Sequence, residues 1–275
     1  MQKTVFITGT SSGIGKACAI FFAEKGWNVA ATMRNPAKDT ELNTIKNIKL
    51  FTLDVTDSLS IQKAISAAIE SFGSIDVVVN NAGYGGVGIF EAADKEQIQR
   101  QFDTNVFGLM NVIREILPYF RKKKKGCIVN LSSIAGFVCF PTYSIYNASK
   151  FAVEGFTEAL QFELRPFNIR IKNIEPGPIK TDFYARSQDL FYKEGLTDYE
   201  KYAKIAYANT QKVGDIAPGP EVVAKKIYQA ATDKSYRLRF PAGIQAIAIL
   251  TARKILPFSW FRAMVKMVVE KGFRA

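Results

Sequence analysis

Six short runs rich in β-branched residues alternate with longer stretches of helical length or periodicity, and nothing else in the sequence restricts the fold as much. The runs cover residues 5–8, 28–32, 48–53, 76–80, 127–131 and 169–174. Strands that alternate with helices read as βαβ units, whose right-handed crossovers build a parallel sheet buried on both faces. The apolar run Val77-Val78-Val79 suits a central strand of such a sheet. Open α/β sheets bind ligands outside the carboxyl ends of their strands, so the chemistry is sought there.

The first run passes directly into Thr8-Gly9-Thr10-Ser11-Ser12-Gly13-Ile14-Gly15, and a helix is expected over residues 16–25. Glycines at a strand-to-helix turn let the backbone approach a pyrophosphate and turn the first helical amides toward the anion. The second run ends Thr32-Met33-Arg34-Asn35, without the acid that would bind a ribose 2′-hydroxyl and with an arginine suited to a 2′-phosphate. Together these features predict a dinucleotide site that prefers NADP(H) over NAD(H), with Ser12 or Lys16 assisting Arg34. The competing reading of Arg34 is a surface arginine after a strand.

Tyr146 and Lys150 are four residues apart, with Ser133 upstream, and the chain contains no histidine. Histidine-based nucleophilic and metal chemistry is therefore excluded. A free phenol titrates near ~10 and is a poor base at neutral pH. Residues i and i+4 share a helix face, so the Lys150 ammonium can favour the ionised Tyr146. An ordinary exposed helix pair is the alternative.

These motifs, with Asn80-Asn81-Ala82-Gly83, Asn105 and Pro176-Gly177 in the same order, resemble the short-chain dehydrogenase/reductase family over about residues 3–235. The resemblance implies a Rossmann-type α/β domain: a doubly wound, seven-stranded parallel sheet of order 3-2-1-4-5-6-7 with helices on both faces. It implies reversible hydride transfer between a nicotinamide and a carbonyl or secondary alcohol. Met33-Arg34 looks like the NADP-preferring branch, and Glu175-Pro176-Gly177-Pro178 resembles members near the 17β-hydroxysteroid dehydrogenases. By the same resemblance Tyr146 protonates the carbonyl oxygen and Ser133 hydrogen-bonds it. Lys150 tunes Tyr146 and holds the nicotinamide ribose, while Asn105 holds a water that relays protons. The family's spacing to the tyrosine selects Ser133 over Ser132. Asp54 and Val55 would flank the adenine, Asn81, Ala82 and Gly83 the adenosine ribose, and Ile179 and Thr181 the carboxamide, near Pro176 and Gly177. Asn105 as a backbone-satisfying amide and Asp54 as a helix cap remain open.

The 275 residues are 48% hydrophobic and 23% charged, which fits one large globular unit. The net charge of +12 invites polyanions, but its densest run, 121–125, follows a helix-like stretch where lysines complement a helix C-terminus. No nucleic-acid-binding signature accompanies it, so nucleic acid is not expected. Cys18, Cys127 and Cys139 have neither disulfide nor metal-ligand spacing, and a strand-like segment follows Lys3 with no room for a leader. A cytoplasmic protein without a metal is expected.

Residues 1–240 are read as the catalytic domain, with a lid over about 182–219, and 241–275 as an amphipathic helical extension packed on it. A helix within 199–208, a helix over 220–232 and a last strand over 237–240 are expected. Phe137, Phe140, Tyr143, Tyr84, Phe183, Tyr184, Leu190, Phe191 and Tyr192 suggest a cleft for a lipophilic substrate, unless they pack among themselves. The extension is too interrupted by charge and Pro257 to span a bilayer. Covering the cleft or joining a homodimer or homotetramer is favoured for it over lying on a membrane. The functional alternative to an enzyme is an idle NADP(H)-binding regulatory protein.

Overall fold

The computed structural model describes residues 2–181 and 188–273, so Phe183 and Tyr184 and the start of the expected lid lie outside the described residues. The elements run β1 (Thr4–Thr8), α1 (Gly13–Glu24), β2 (Asn28–Met33), β3 (Ile48–Thr52), α2 (Ser58–Phe72), β4 (Val77–Asn80), β5 (Gly85–Val87), α3 (Lys95–Phe102) and α4 (Leu109–Lys123). They continue with β6 (Gly126–Leu131), α5 (Ser144–Leu164), β7 (Ile169–Pro176), β8 (Gln188–Leu190), α6 (Glu200–Asp215), α7 (Glu221–Thr232), β9 (Arg239–Ala242), α8 (Ile244–Ile255) and α9 (Phe258–Val269).

Seven strands form one sheet in the order β3-β2-β1-β4-β6-β7-β9, with every neighbouring pair parallel. Numbered by appearance within this sheet, the order is 3-2-1-4-5-6-7, as the family resemblance implies. The order reverses between β1 and β4, whose carboxyl ends therefore open side by side into a crevice. Alternation along each strand divides the core into two layers. Val5, Ile7, Val29, Val77, Val79 and Val129 face α1 and α7, where Phe22, Val223 and Ile227 are buried. Phe6, Ala30, Val78 and Ile128 face α2, α4 and α5, meeting Ile61, Val112, Ile116 and Val153. Each large side chain so buried contributes about 1.5–3 kcal/mol before conformational entropy is counted.

Local chemistry sets the helix ends. The Asp57 side chain caps α2 by accepting from the Leu59 amide at 2.9 Å, and Gly73 ends it in the left-handed region at φ 77°. The cap is thus Asp57 rather than Asp54. The basic run of the sequence closes α4, with Arg121, Lys122 and Lys123 in the last turn facing the negative end of the helix dipole.

Two features were not anticipated. Residues Asp103–Gly108 make a turn of π-helix between α3 and α4, which places Asn105 inside a helical run. A two-stranded parallel sheet of β5 and β8 lies within stretches read as connections. Both strands have three residues, Gly-Gly-Val and Gln-Asp-Leu, too short to show periodicity. Glycine is required at position 86, because a Cβ there would lie 2.4 Å from the Phe191 ring.

Candidate active site

At the crevice, the glycine turn is shaped by crowding. Gly9 has φ 72°, and a Cβ on it would lie 2.9 Å from Ala82 Cα, so β1 and the segment after β4 touch through their backbones. A Cβ on Gly15 would fall 2.1 Å from the Gly9 carbonyl oxygen, so the helix can start against the strand only without a side chain there. Asn81 locks the arrangement: its Nδ2 donates to the Thr8 and Gly9 carbonyls at 2.9 and 2.8 Å. Thr8 Oγ1 accepts from the Asn81 and Ala82 amides, both at 3.0 Å. Ser12 precedes α1 in an extended conformation without a side-chain capping bond, and the first turn of α1 holds no acid. The helix N-terminus is thus positive and presents amides without a carboxylate beside them.

These groups border a cleft of about 1170 Å³ along the carboxyl edge of the sheet. Gly9, Ser11, Ser12, Gly13, Ile14 and Gly15 line one end with Arg34, Asp54 and Val55, and Asn81, Ala82 and Gly83 line the middle. Ser133, Tyr146 and Lys150 line the other end with Pro176, Gly177, Ile179 and Thr181. Asp54 is tied into a turn, where its Oδ1 accepts from the Thr56 amide at 2.9 Å and the Thr56 hydroxyl at 2.8 Å.

Three sequence candidates stand apart from the cleft wall. Thr10 is buried and its hydroxyl donates to the Thr32 carbonyl at 3.1 Å, pinning the turn to β2. Lys16 faces away and pairs with Glu41 at 2.5 Å. Asn105 is buried behind the wall, where its Oδ1 accepts from the Tyr84 amide at 3.0 Å and its Nδ2 donates to the Tyr84 carbonyl at 2.9 Å. The same Nδ2 lies 3.4 Å from Ser149 Oγ.

At the chemical end, α5 carries Tyr146 and Lys150 on one face. Lys150 is only 7% exposed, its Nζ donates to the Leu131 carbonyl at 2.8 Å, and that Nζ lies 5.7 Å from the centroid of the Tyr146 ring. Burial pushes the Lys150 ammonium down to about 8, with Glu154 one turn further along opposing the shift. Ser133 caps a short 3₁₀ turn, its Oγ accepting from the Ala135 amide at 3.1 Å, which leaves the hydroxyl proton available to donate.

Asn147, between the two motif residues, was missed by sequence reasoning. Its Nδ2 donates to the Ala135 and Val138 carbonyls at 2.8 and 2.7 Å, and its Oδ1 accepts from the Phe140 amide at 3.2 Å. It therefore staples the loop carrying Ser133 to the helix carrying Tyr146. The available signal was a polar residue of low helix propensity in a helix interior, which needs a partner when buried. Behind this floor lie Glu154 and Glu175 with Arg239, whose Nε is 3.4 Å from Glu154 Oε2 and 3.7 Å from Glu175 Oε1. Burial raises Glu175 to about 8, reinforced by Glu154 and opposed by Arg239 and Arg237.

The substrate side differs from the aromatic cluster expected. Tyr84, Phe140 and Tyr143 line the cleft, but Phe191 packs against Gly86 and Gly88, Phe137 lies beneath Arg239, and Leu190 and Tyr192 are exposed. Much of the apolar wall instead comes from the C-terminal helices, through Ile249 and Ala252 of α8 and Phe261, Met264, Val265 and Val268 of α9.

The geometry agrees with what the chain is similar to. It is 38% identical over 275 residues to the uncharacterized oxidoreductase YusZ of Bacillus subtilis, covering 96% of this chain and 98% of that one. It is 41% identical over 181 residues to the 3-ketodihydrosphingosine reductase of Bacteroides thetaiotaomicron, covering 66% of this chain and 65% of that protein. The structure of ElxO with NADP bound superposes with a TM-score of 0.72 at 28% identity, covering 90% of this chain and 100% of that one. The sequence pattern of the short chain dehydrogenases matches residues 3–189, and the chain belongs to that family.

Proposed function

We propose that the protein is an NADP(H)-dependent oxidoreductase that interconverts a carbonyl and a secondary alcohol on a lipophilic substrate, with Tyr146 as the acid and base. The observation that carries this reading is the buried Lys150 ammonium 5.7 Å from the Tyr146 ring, at one end of a cleft whose other end is the glycine turn. The catalytic unit is residues 1–240, including a lid over about 182–219, with 241–275 packed upon it.

The residues present fit a dinucleotide. The backbone cradle at Gly9 and Gly15 is one that side chains would fill, and the uncapped start of α1 suits a pyrophosphate. Arg34 at the end of β2 supplies a guanidinium for a 2′-phosphate, with Asp54 and Val55 beside the adenine position. Bound there, a nicotinamide supplies or accepts hydride at the carbonyl carbon. Ser133 donates its hydroxyl proton as a hydrogen bond to the substrate oxygen. Tyr146 transfers a proton to the same oxygen during reduction and regains one from solvent afterwards. Lys150 holds positive charge near the phenol, favouring the tyrosinate that remains. Asn105 supports this wall through the Tyr84 backbone and Ser149. The apolar C-terminal wall suits a lipophilic substrate, and one relative is named for reducing a sphingoid ketone.

The test is a substrate screen in both directions with both nicotinamides. NADPH should support carbonyl reduction at a lower Michaelis constant than NADH. Equal constants for the two would remove the NADP(H) assignment.

A further inference from the structure

The two C-terminal helices have a second surface that the cleft does not use. Their inner sides line the cavity, yet Ile244, Ile247, Ile255, Phe258, Trp260 and Met267 are exposed, Trp260 at 66% and Met267 at 70%. The Arg253 guanidinium lies 5.3 Å from the Phe258 ring centroid, yet that ring stays 63% exposed. Ile255, Phe258 and Trp260 crowd the turn between α8 and α9, and clustered exposed apolar side chains mark interaction sites. Between positions 244 and 273 the chain carries Arg253, Lys254, Arg262, Lys266 and Lys271 against the single acid Glu270. Lys266 pairs with that acid at 3.6 Å, while Lys254, Arg262 and Lys271 are exposed.

We infer that the turn joining α8 and α9 docks the protein on an anionic lipid surface, with Ile255, Phe258 and Trp260 entering the interface and Lys254 and Arg262 meeting the headgroups. Charge selects this occupant. A second copy of the chain in a two-fold interface would bring the same basic patch against itself, whereas anionic headgroups neutralise it. An aromatic and aliphatic turn flanked by lysine and arginine has the composition of a segment that seats in a membrane interface. Among the described residues no helix is long and apolar enough to cross a membrane, so the contact is peripheral. The same two helices wall the cleft, so docking sets its apolar side beside the bilayer. A lipid-dissolved substrate then enters without crossing water; this last point rests on the function proposed above, and the docking itself does not.

The full-length protein is mixed with vesicles of phosphatidylcholine alone and with vesicles of equal parts phosphatidylcholine and phosphatidylglycerol, and binding is read by cosedimentation. Trp27 is 6% exposed, so a blue shift of tryptophan emission on binding reports on Trp260. Binding to the anionic vesicles is expected, weakened by salt, and reduced about tenfold or more by Lys254→Glu with Arg262→Glu. Phe258→Ser with Trp260→Ser should weaken it comparably. Both variants sit on exposed positions and should keep the wild-type melting temperature and NADPH affinity. Absence of binding to either vesicle, equal binding to both, or wild-type binding by both double variants would overturn the inference. So would sedimentation equilibrium showing a dimer that Phe258→Ser with Trp260→Ser converts to monomer while vesicles bind nothing. Vesicle binding is read without turnover, so it can succeed or fail independently of the enzymatic reading.

Discussion

Lys150 Nζ lies 5.7 Å from the centroid of the Tyr146 ring and is held there by a 2.8 Å hydrogen bond to the Leu131 carbonyl. Burial lowers its ammonium to about 8, so most of its charge is present at neutral pH and is lost as pH rises through that value. The rate of carbonyl reduction should therefore fall along an alkaline limb near pH 8. Lys150→Arg should move the limb upward, because a guanidinium stays charged, while Lys150→Met should depress the rate at every pH and weaken NADPH binding. A pH profile of kcat/KM checks this; a limb that Lys150→Arg leaves in place would assign it to another group.

Arg34 is the one cationic side chain at the end of β2 and it lines the cleft. Arg34→Asp should weaken NADPH binding by about tenfold or more, the worth of a lost charge-assisted contact, and spare or improve NADH binding. Titration with each nicotinamide measures the change.

Asn147 makes three hydrogen bonds that tie the Ser133 loop to α5. Asn147→Ala leaves one amide and two carbonyls unpaired in a buried setting and should cost about 1–3 kcal/mol of stability. Because the loop sets the distance between Ser133 and Tyr146, kcat should fall while the NADPH dissociation constant changes little. Urea denaturation and steady-state kinetics separate the two effects.

Glu175 is raised from 4.5 to about 8 by burial, with Glu154 adding to the shift. A carboxyl whose folded value lies above its unfolded one favours folding at low pH, and that contribution is lost as pH rises from 4.5 through 8. Stability should decline across that window, and Glu175→Gln should flatten the decline by on the order of a few kcal/mol. Melts between acid and mildly alkaline pH provide the comparison.

The strand runs and the glycine turn were legible because their signals are local. β-branched runs between helices specify a parallel sheet, and Gly15 must be glycine because a side chain there would meet the Gly9 carbonyl within the same turn. The strand order came from the family resemblance, and all seven strands of the sheet follow it. What escaped depends on contacts distant in sequence. Of the two roles open to Asn105, the backbone-satisfying one appears in its bonds to the Tyr84 backbone, with Ser149 Oγ 3.4 Å away, partners that no spacing reveals. The hydroxyl of Thr10 is spent on β2, and Lys16 on Glu41. The aromatic side chains near 190 looked like a substrate wall, but Phe191 is consumed by the approach of Gly86, and the wall comes from α8 and α9.

The central claim is that Tyr146 delivers the proton in a reaction driven by a nicotinamide. Its most direct test is the loss of NADPH absorbance on adding lipophilic ketones to the wild-type protein and to Tyr146→Phe, with NADPH affinity measured for both. Carbonyl-dependent oxidation of NADPH by the wild type should fall by about 10²-fold or more in Tyr146→Phe, at nearly unchanged NADPH affinity. Wild-type turnover by Tyr146→Phe, or tight NADPH binding without turnover of any carbonyl by the unmutated protein, would contradict it.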